Sequence, residues 1–518
     1  MARVQIWSAL VSLVLVSSVQ ASKILLLSAP TYSHCAEVSN VGQELVNRGH
    51  NVSILFSKTY KHKNCHLKGA SGTKQIHTIL MTPEADVQSA DEMTQNISSS
   101  LLDGKDFSII TRLGTMSKLV RCVCSNVLSD TKTLRNLRDE NFDLVILNGA
   151  FVSYCFFVVP YVMNIRYVAV STLFEDFVSG RPFLPSISPN LQSQYTDSMT
   201  FFQRLHNTLS YVGLHLMGRY LMPMDLVSPL APELSRHDII NMVAKSELFL
   251  YNYDTILSYP LPQMPNHVMI GGIATGPAQP LTGEVKKYYQ KSSDGVVLVT
   301  FGGNSMDFPE SKVKALLRVF KRLKLNVLWK YGDSRQNGNV KVMKWVPQND
   351  LLGHPQTKVF VSHCGNNGVF EALYHGVPLV CTPIIGDQFF NGVRVEHWEV
   401  GIMAPLMGST EEQLYNAITE VLSNSKYMKN MRKASAMFHS QSKSPRERAG
   451  DAIEYVLRFG GDHLRSRASD MSVFTYMGYD IVCFTSASVI VTVLVCVKCA
   501  KRLSKRFCRR AAKKQKTS

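Results

Sequence analysis

The sequence predicts an α/β protein with two domains, each built on a doubly wound parallel sheet, followed by one transmembrane helix. Buried strands alternate with helical patterns at the start of the chain, and the same alternation begins again near Gly295. A long apolar run lies close to the C-terminus. Strand–helix–strand repeats are typical of parallel sheets, because parallel strands need long crossover connections. A chain of 518 residues is long enough for two such domains.

The first domain is predicted over residues 22–280. It opens with the buried strand 23–28, and a loop over residues 29–34 follows. Apolar residues then recur at helical spacing, and residues 52–56 form the next strand. A later strand, residues 142–148, ends in a polar side chain. The pattern is that of a Rossmann-like βαβ unit that continues into a larger sheet.

The second domain is predicted over residues 285–460. It begins with a strand at residues 296–301, continues through a helix at 312–320, and reaches another strand at 326–330. A segment with proline and glycine, residues 277–283, separates it from the first domain and is predicted to be a linker.

The two ends of the chain predict export and membrane anchoring. Residues 1–21, in which Arg3 precedes a short apolar run, are predicted to be a secretory signal peptide. Residues 479–497 are predicted to span a membrane, with Phe474 in an aromatic belt at one interface. The basic tail, residues 498–518, is predicted to be cytoplasmic, which places both domains in a lumen or outside the cell.

The distribution of charge argues against a nucleic-acid-binding protein. The net charge is +17, but ten basic residues and no acidic residue lie in residues 498–518, which leaves +7 for the rest of the chain. A basic tail behind a membrane span is not a groove for a polyanion. Nucleic acid is therefore excluded as a partner.

The cysteines and one tripeptide give weaker signals. The 11 cysteines are sparse, so they are predicted to be mostly buried small apolar residues rather than a disulfide scaffold. Asn96-Ile97-Ser98 fits the acceptor pattern for N-glycosylation and is predicted to lie in a polar loop.

The most informative stretch is residues 345–388. An apolar strand ends at the small-residue turn 362–368, and a helical pattern starts at once. The free N–H groups and the positive dipole end of such a helix bind an anion such as a diphosphate. Trp345 adds an aromatic surface for a base, and Glu371 adds a carboxylate for a ribose diol. With an acid–amide pair at 387–388 for a hexose, the set suits a nucleotide sugar.

Residues 344–355, KWVPQNDLLGHP, resemble the signature of the membrane-bound UDP-glycosyltransferases, the family of the animal UDP-glucuronosyltransferases. The similarity continues through most of the chain. It implies two Rossmann-like domains that face each other across a cleft, the GT-B type, with a lipophilic acceptor bound by the first domain and a UDP-sugar by the second. It also implies a single-pass type I protein of the endoplasmic reticulum membrane with luminal domains. Lys514 and Lys516 match the dilysine retrieval signal of that membrane.

The resemblance assigns catalysis to the first domain. His34 matches the family's catalytic histidine, and a histidine near neutral pKa suits removal of a proton from an acceptor hydroxyl. The family has an aspartate that orients this histidine, and Asn148 stands at that position. Asparagine can orient a ring by a hydrogen bond but cannot neutralise an imidazolium. Three outcomes are therefore open, namely a slower enzyme, an enzyme that needs acidic acceptors, and a protein that has lost catalysis, and Asp143 is expected to point elsewhere.

The resemblance assigns donor binding to the second domain. Two residues are expected to hold the sugar hydroxyls, namely Asp387 and Gln388. The remaining donor residues are expected to bind the UDP moiety, and they are Gly302, Trp345, Gln348, His363, Gly365, Asn367, Gly368 and Glu371. The family usually has glycine at Cys364 and serine at Gly303, so one hydroxyl near the diphosphate is missing here.

The choice of sugar and acceptor rests on fewer residues. Glucuronosyltransferases carry an arginine at the position of Asn252, and a buried carboxylate favours arginine, so glucose is favoured over glucuronate. The apolar-rich stretches 101–119 and 201–221 are expected either to wall an acceptor pocket or to contact the membrane.

Two hypotheses follow. The chain is an inverting transferase that moves glucose or glucuronate from a UDP-sugar to a hydroxyl or carboxyl of a small lipophilic acceptor. Alternatively, it is a UDP-sugar-binding protein that has lost catalysis through Asn148. No metal and no cofactor other than the UDP-sugar co-substrate are expected. The sequence leaves the oligomeric state open, a homo-oligomer included.

Overall fold

The computed structural model describes residues 21–29, 31–58, 76–82, 90–102, 109–172, 176–191, 193–302 and 308–514. Nearly all of the predicted signal peptide, Gly303 and the last four residues of the tail lie outside these ranges. The chain divides into two compact units, residues 1–465 and residues 466–518. The two units are described separately below.

A parallel sheet forms the centre of the first domain. The described strands lie in the order β3-β2-β1-β4-β5-β6-β7, all parallel to their neighbours. Their bounds are β1 Lys23–Leu27, β2 Asn51–Ser57, β3 Ile76–Met81, β4 Leu144–Asn148, β5 Tyr167–Ser171, β6 Phe249–Tyr251 and β7 His267–Met269. The order reverses beside β1, where β4 follows on the other side. Ligands bind at such switch points in open α/β sheets.

Helices cover this sheet and carry the long connections between its strands. The described helices are α1 Tyr32–Asn47, α2 Ala90–Leu102, α3 Ile109–Leu128, α4 Thr131–Leu137, α5 Val158–Met163, α6 Asp176–Ser179, α7 Phe201–Leu221, α8 Met224–Val227 and α9 Arg236–Ala244, with 3-10 turns at Arg138–Glu140 and Phe151–Phe157. The predicted glycosylation tripeptide lies within α2, with Ser98 buried, and not in a loop.

The second domain repeats the architecture. Its sheet has the order β10-β11-β9-β8-β12-β13-β14, in which the β10–β11 pair is antiparallel. The strands are β8 Val296–Thr300, β9 Asn326–Lys330, β10 Arg335–Asn337, β11 Val340–Met343, β12 Thr357–Ser362, β13 Leu379–Cys381 and β14 Gly401–Met403. The helices are α10 Gly283–Gln290, α11 Glu310–Arg322, α12 Gln348–Leu352, α13 Asn366–His375, α14 Gln388–His397, α15 Glu411–Ser423, α16 Ser425–His439 and α17 Pro445–Phe459.

The strands are continuous apolar runs because both faces of each sheet are covered. Along β1, Ile24 and Leu26 pack into one hydrophobic cluster, whereas Leu25 and Leu27 pack into the cluster on the opposite face. Strand β8 divides its residues between two clusters in the same way. Successive side chains of a strand point to opposite faces, so each run builds two cores at once. The predicted two-domain α/β fold class is confirmed.

Helix α17 packs on the first domain, although the predicted second domain extends to residue 460. Ala449, Ile453 and Val456 of this helix belong to the hydrophobic cluster formed by β1 and α1. Arg48 donates to Asp451 at 2.8 Å and to Glu454 at 3.0 Å, and it also pairs with Glu44 of its own helix. The chain therefore crosses back after α16 and fastens the second domain to the first.

Removal of the Arg48 side chain should weaken the attachment of α17 to the first domain. We expect Arg48→Ala to lower the free energy of unfolding by about 2 kcal/mol, because hydrogen bonds to charged groups contribute about 1.5–3 kcal/mol. Arg318, in an exposed pair with Glu411, offers a matched control in which an arginine substitution should change little. Thermal unfolding of the two variants in detergent measures the difference. Equal unfolding temperatures for both would contradict the role given to Arg48.

Among the described residues, two pairs of cysteines form disulfides, although the sequence predicts mostly buried small apolar residues; the burial is confirmed. Cys124 of α3 is bonded to Cys155, and Cys364 is bonded to Cys381 of β13. Cys122 is buried. Sparse spacing along the chain did not reveal the pairs, because the sheet brings distant segments together. Disulfides of this kind persist in oxidising compartments such as the lumen predicted for these domains.

The second unit contains the C-terminal helix. Helix α18 covers Val473–Tyr476 and α19 covers Tyr479–Lys514. The predicted span 479–497 lies within α19, and the segment Tyr479–Arg506 is apolar and long enough to cross a membrane. Its side chains are exposed, as expected for a surface that faces lipid. The helix continues into the basic tail, so the helical structure does not end where the predicted span ends.

Candidate functional site

A cavity of about 790 Å³ lies between the two sheets. Both domains line it, and the carboxyl ends of β1, β8 and β12 point to it, since the residues that follow these strands form part of its wall. All of the predicted site residues except Asn148 line this cavity. They are His34, Gly302, Trp345, Gln348, His363, Gly365, Asn367, Gly368, Glu371, Asp387 and Gln388. Asn148 is fully buried behind His34.

His34 lies in the first turn of α1 and not in the loop predicted for residues 29–34. The helix begins at Tyr32, directly after the extended residue Thr31. The imidazole lines the cavity, and 25% of the His34 side chain is exposed. A helical position fixes the backbone of His34 more firmly than a loop does. It also brings the side chain of the residue three positions later in the helix next to the imidazole.

Asn148 contacts His34 directly. The Asn148 Nδ2 lies 3.2 Å from the His34 Nδ1. The Asn148 Oδ1 accepts from the Ser153 hydroxyl at 2.7 Å and from the Ala150 N–H at 3.2 Å. The amide therefore presents its nitrogen, and not its oxygen, to the ring. Asp143 points elsewhere, as expected, because its carboxylate accepts from the Lys23 N–H at 2.7 Å.

Glu37 is a second neighbour of His34 that the sequence analysis did not identify. Its Oε2 lies 3.8 Å from the His34 Nδ1, and the side chain is 2% exposed. Its Oε1 accepts from the Asn252 Nδ2 at 2.8 Å and from the Thr172 hydroxyl at 3.1 Å. The i, i+3 spacing of Glu37 to His34 was a signal that could have identified it, once His34 was placed in a helix.

The turn before α13 forms an anion cradle in the second domain. Gly365 precedes the helix and leaves the first N–H groups of α13 without intrahelical partners. A Cβ on Gly302 would lie 3.0 Å from the His363 Nε2, and a Cβ on Gly365 would lie 2.7 Å from it. The two glycines therefore pack closely around the His363 imidazole. Burial, together with the positive charge of Lys330, lowers the pKa of His363 to about 4, so the ring is neutral at pH 7.

Lys330 is a functional candidate that the sequence analysis missed. It is the last residue of β9, lines the cavity, and donates to the Gly302 carbonyl. Burial lowers its pKa to about 8, so the ammonium group remains mainly charged at pH 7. The neutral His363 beside it adds no charge. The cradle therefore combines helix N–H groups with one lysine, which together favour a diphosphate.

The cradle also contacts the first domain. The Asn366 side chain donates to the Asn252 carbonyl at 2.7 Å, and the Asn367 Oδ1 accepts from the Asn252 Nδ2 at 2.9 Å. The Asn367 amide further reaches the Ser33 carbonyl at 3.5 Å. These bonds hold the turn next to the start of α1, so an anion in the cradle lies on the same side of the cleft as His34.

A chain of hydrogen bonds supports the part of the cavity beyond the cradle. The Thr300 hydroxyl donates to Gln348, and the Gln348 amide donates to Glu371. Burial raises the pKa of Glu371 to about 7. The Trp345 indole is 58% exposed at the cavity mouth, an unusual position for so large an apolar surface. An exposed aromatic face beside a carboxylate suits a nucleoside that stacks its base and offers its diol.

Asp387 and Gln388 are held at the start of α14. The Asp387 carboxylate accepts from the Asn391 amide at 2.8 Å, and burial raises its pKa above the usual range. The Gln388 Oε1 accepts from the backbone N–H groups of Ile384 and Ile385 at 2.8 and 3.0 Å. The Gln388 amide nitrogen is therefore the end left for a hydroxyl oxygen, and Asp387 offers an acceptor.

Helix α7 contributes to the cavity on one side and is exposed on the other. Tyr211 and Leu214 line the cavity. Phe202 and Tyr220, on turns outside it, are 77% and 78% exposed. The helix therefore walls the pocket, and it also carries an uncovered apolar surface. The stretch 101–119 is described only in part, as the end of α2 and the start of α3.

Comparisons with known proteins agree with this geometry. A family model described as "UDP-glucoronosyl and UDP-glucosyl transferase" matches residues 22–515. The chain is 29% identical to UDP-glucuronosyltransferase 2C1 of Oryctolagus cuniculus, over 94% of this chain and 100% of the relative. It is 30% identical to UDP-glucuronosyltransferase 1A9 of Mus musculus, over 90% of this chain and 89% of the relative.

Solved structures share the fold. A UDP-glucose: anthocyanidin 3-O-glucosyltransferase in complex with UDP aligns with a TM-score of 0.56 and 17% identity, over 85% of this chain and 99% of that chain. The Medicago truncatula UGT71G1 complexed with UDP-glucose aligns with a TM-score of 0.56 and 16% identity, over the same shares. At these identities the similarity is one of fold alone, that of two parallel-sheet domains with a cleft between them.

Proposed function

The chain belongs to the UDP-glucoronosyl and UDP-glucosyl transferase family and is a UDP-glycosyltransferase of GT-B type, and we propose that it moves a hexose to a hydroxyl or carboxyl of a small lipophilic acceptor with inversion. One observation carries this proposal. His34 of the first domain and the cradle before α13 of the second line one cavity. A base and an anion site on opposite domains are what a direct displacement at an anomeric carbon requires.

The second domain binds the donor in this proposal. Uracil stacks on Trp345, the ribose diol donates to Glu371, and the diphosphate lies at the N-terminus of α13 beside Lys330. As the bond to the sugar breaks, negative charge grows on the diphosphate, and the N–H groups and the ammonium group stabilise it without reorganisation. Asp387 and Gln388 hold the sugar hydroxyls. We propose no metal and no cofactor other than the UDP-sugar, because these groups already meet the anion.

The proposed donor is UDP-glucose, with UDP-glucuronate as the alternative. Asn252 stands where glucuronosyltransferases carry arginine, and its amide is occupied by Glu37 and Asn367. Arg394 is buried close to Asp387, but its guanidinium donates to Ser258 and Asn391, and it does not line the cavity. Arg181 of the first domain does line the cavity, but none of the described cavity-lining residues of the second domain is an arginine, so no arginine stands among the proposed donor-binding residues to pair with a glucuronate carboxylate. The names of the relatives favour glucuronate, so the choice requires measurement.

The proposed acceptor is lipophilic and reaches the cavity beside α7. Tyr211 and Leu214 supply apolar surface, and the exposed face of the same helix suits a protein that takes acceptors from a membrane. The C-terminal helix α19 is the proposed anchor. We propose an endoplasmic reticulum location with the two domains in the lumen, which the disulfides support.

A second candidate function rests on one contact. The Asn148 amide faces His34 with a donor, where a base needs an acceptor. A chain that binds a UDP-sugar without transferring it is therefore the rival of the enzyme.

The two functions separate in one experiment. The full-length protein in membranes is offered UDP-glucose and UDP-glucuronate separately, beside phenols, steroids and carboxylic acids, and UDP release is measured. Acceptor-dependent release with UDP-glucose is the expected result. Release with UDP-glucuronate alone overturns the proposed sugar. Binding of both donors with no release for any acceptor favours the binding protein.

The contact between Gly365 and His363 gives a prediction for donor affinity. A Cβ at residue 365 would lie 2.7 Å from the His363 Nε2, so Gly365→Ala forces the imidazole ring to move. We expect about tenfold weaker binding of the UDP-sugar, since an off-rotamer side chain costs about 0.5–1.5 kcal/mol. Gly114→Ala is the control, because Gly114 lies in α3 outside the cavity wall and a Cβ there would have no atom within 4 Å. Equal affinities of the two variants by calorimetry would refute this account of the cradle.

A further inference from the structure

The hydrogen bonds of Asn148 fix which of its atoms faces His34. A backbone N–H can only donate, and the Ala150 N–H points at the Asn148 Oδ1 at 3.2 Å. The Ser153 hydroxyl reaches the same oxygen at 2.7 Å. A flip of the amide would set the Ala150 N–H against an NH₂ group. The nitrogen of Asn148 therefore faces the His34 Nδ1.

This orientation favours the wrong form of the ring for catalysis. A neutral imidazole that accepts at Nδ1 carries its proton on Nε2. The base must instead carry its proton on Nδ1 and offer a free Nε2 to the acceptor hydroxyl. Asn148 also leaves the imidazolium formed during transfer without a counter-charge. The contact between these two residues cannot by itself account for an active transferase.

Glu37 is placed to supply what Asn148 lacks. Its Oε2 lies 3.8 Å from the His34 Nδ1, one helical turn along α1. Thr172 and Asn252 hold its other oxygen, Oε1, at 3.1 and 2.8 Å. Within the described part of the chain, the buried Oε2 has no hydrogen-bond partner. A buried carboxylate oxygen without a donor is costly, and the ring of His34, at 3.8 Å, carries a nitrogen able to donate to it.

We infer that Glu37 is the positioning residue of His34, and that it replaces within α1 the carboxylate that the family carries at the position of Asn148. Its Oε2 accepts the proton of Nδ1, which leaves Nε2 free, and its charge neutralises the imidazolium. The shift from 3.8 Å to hydrogen-bond distance is about 1 Å, within reach of a side-chain rotation. This inference rests on the proposed transferase function.

The transfer step then balances without any further reactant. The acceptor oxygen forms a bond to C1 of the sugar, and the bond from C1 to the diphosphate oxygen breaks with its electron pair on UDP. The hydroxyl proton passes to the His34 Nε2. The Nδ1 proton stays between the ring and Glu37, and the imidazolium afterwards loses its extra proton to water.

Other charged groups near His34 do not take over this role. Asp387 is close enough for His34 to lower its pKa, but its carboxylate accepts from Asn391 and burial holds its pKa above the usual range. Arg394 is buried, and its guanidinium bonds to Asn391 and Ser258. Glu37 is therefore the carboxylate whose removal should change the behaviour of the ring most.

The test is Glu37→Gln, which keeps an oxygen for Thr172 and Asn252 and removes only the charge. In the full-length protein, kcat should fall about 100-fold with an unchanged affinity for UDP. Asn148→Asp should raise kcat at least about tenfold in the Glu37→Gln background, and less in the wild-type background. Glu44→Gln, the same change on the same helix, is the control and should leave kcat unaltered.

A second readout does not need turnover. Diethyl pyrocarbonate modifies neutral histidine, and mass spectrometry of the His34 peptide follows that residue alone. At about pH 8, modification of His34 should be severalfold slower in Glu37→Gln, because the Asn148 donor then selects the neutral ring that carries its proton on Nε2 and occupies its Nδ1. An unchanged modification rate, or kcat within about twofold of wild type with no rescue by Asn148→Asp, overturns the inference. Slower modification in a chain that shows no turnover supports the pairing and refutes the transferase function instead.

Discussion

His34→Ala is expected to lower the rate of UDP release by about 10²–10⁴-fold, the range that general base catalysis contributes. The imidazole lies in the first turn of α1 and lines the cavity from the side of the first domain. Without it, the acceptor hydroxyl must lose its proton to water as it attacks the sugar. The affinity for UDP should stay within about twofold of wild type, because the donor is held by the second domain.

His463 provides the control for this experiment. It is exposed and bonded to Tyr455, away from the cavity wall. Replacement of His463 by alanine should leave turnover and UDP affinity as they are. A His34→Ala enzyme that keeps a third or more of the wild-type rate would place the base elsewhere. A variant that no longer binds UDP would indicate that His34 maintains the fold of the cleft rather than its chemistry.

Binding of the UDP-sugar is expected to tighten as the pH rises from about 6 through 7, because Glu371 then becomes the acceptor that a ribose diol needs. Burial raises the pKa of Glu371 to about 7, so below that pH the carboxyl is protonated and accepts poorly. Affinity rises with pH because the ribose of the ligand donates hydrogen bonds from two hydroxyls, and it therefore binds the ionised form of Glu371 more tightly than the protonated form. A UDP-sugar has no group of its own that titrates near pH 7, so calorimetry with this ligand reports on the protein.

The same experiment has an alkaline limb. Burial lowers the pKa of Lys330 to about 8, so the diphosphate loses its cation, and affinity should fall, above that pH. Glu371→Gln should weaken binding about 10- to 100-fold at pH 8, since hydrogen bonds to charged groups contribute about 1.5–3 kcal/mol, and it should abolish the acid limb only. Lys330→Met should abolish the alkaline limb only. A profile that is flat in wild type would refute both assignments.

Much of the donor site was predictable because it is local in the chain. The strand β12, the turn and the start of α13 occupy consecutive residues, so spacing alone placed His363 and Gly365 at one helix N-terminus. The same holds for Asp387 and Gln388 at the start of α14. The alternation of strands and helices predicted both sheets. Each strand and helix could be recognised because the spacing of its apolar residues depends on which of its faces are buried.

Contacts between distant segments were not predictable. Lys330 reaches the cradle because β9 and β8 pair in register, and no motif in its neighbourhood announces an anion site. Helix α17 looks like the end of the second domain in sequence, but its apolar side packs on the first. The pairing of Cys364 with Cys381 likewise depends on the neighbouring strands β12 and β13.

The sequence by itself determined two α/β domains, a helix long enough to span a membrane, and a set of residues that line one cavity, because each of these follows from local spacing and residue type. It also revealed Asn148 as a departure from the family. Only the tertiary structure decided what that departure means. The orientation of the Asn148 amide depends on Ala150 and Ser153, and Glu37 is buried beside His34 because α1 packs against β4 and β5. The i, i+3 spacing brings Glu37 near His34, but burial and the orientation of an amide depend on residues that are distant along the chain or on other elements.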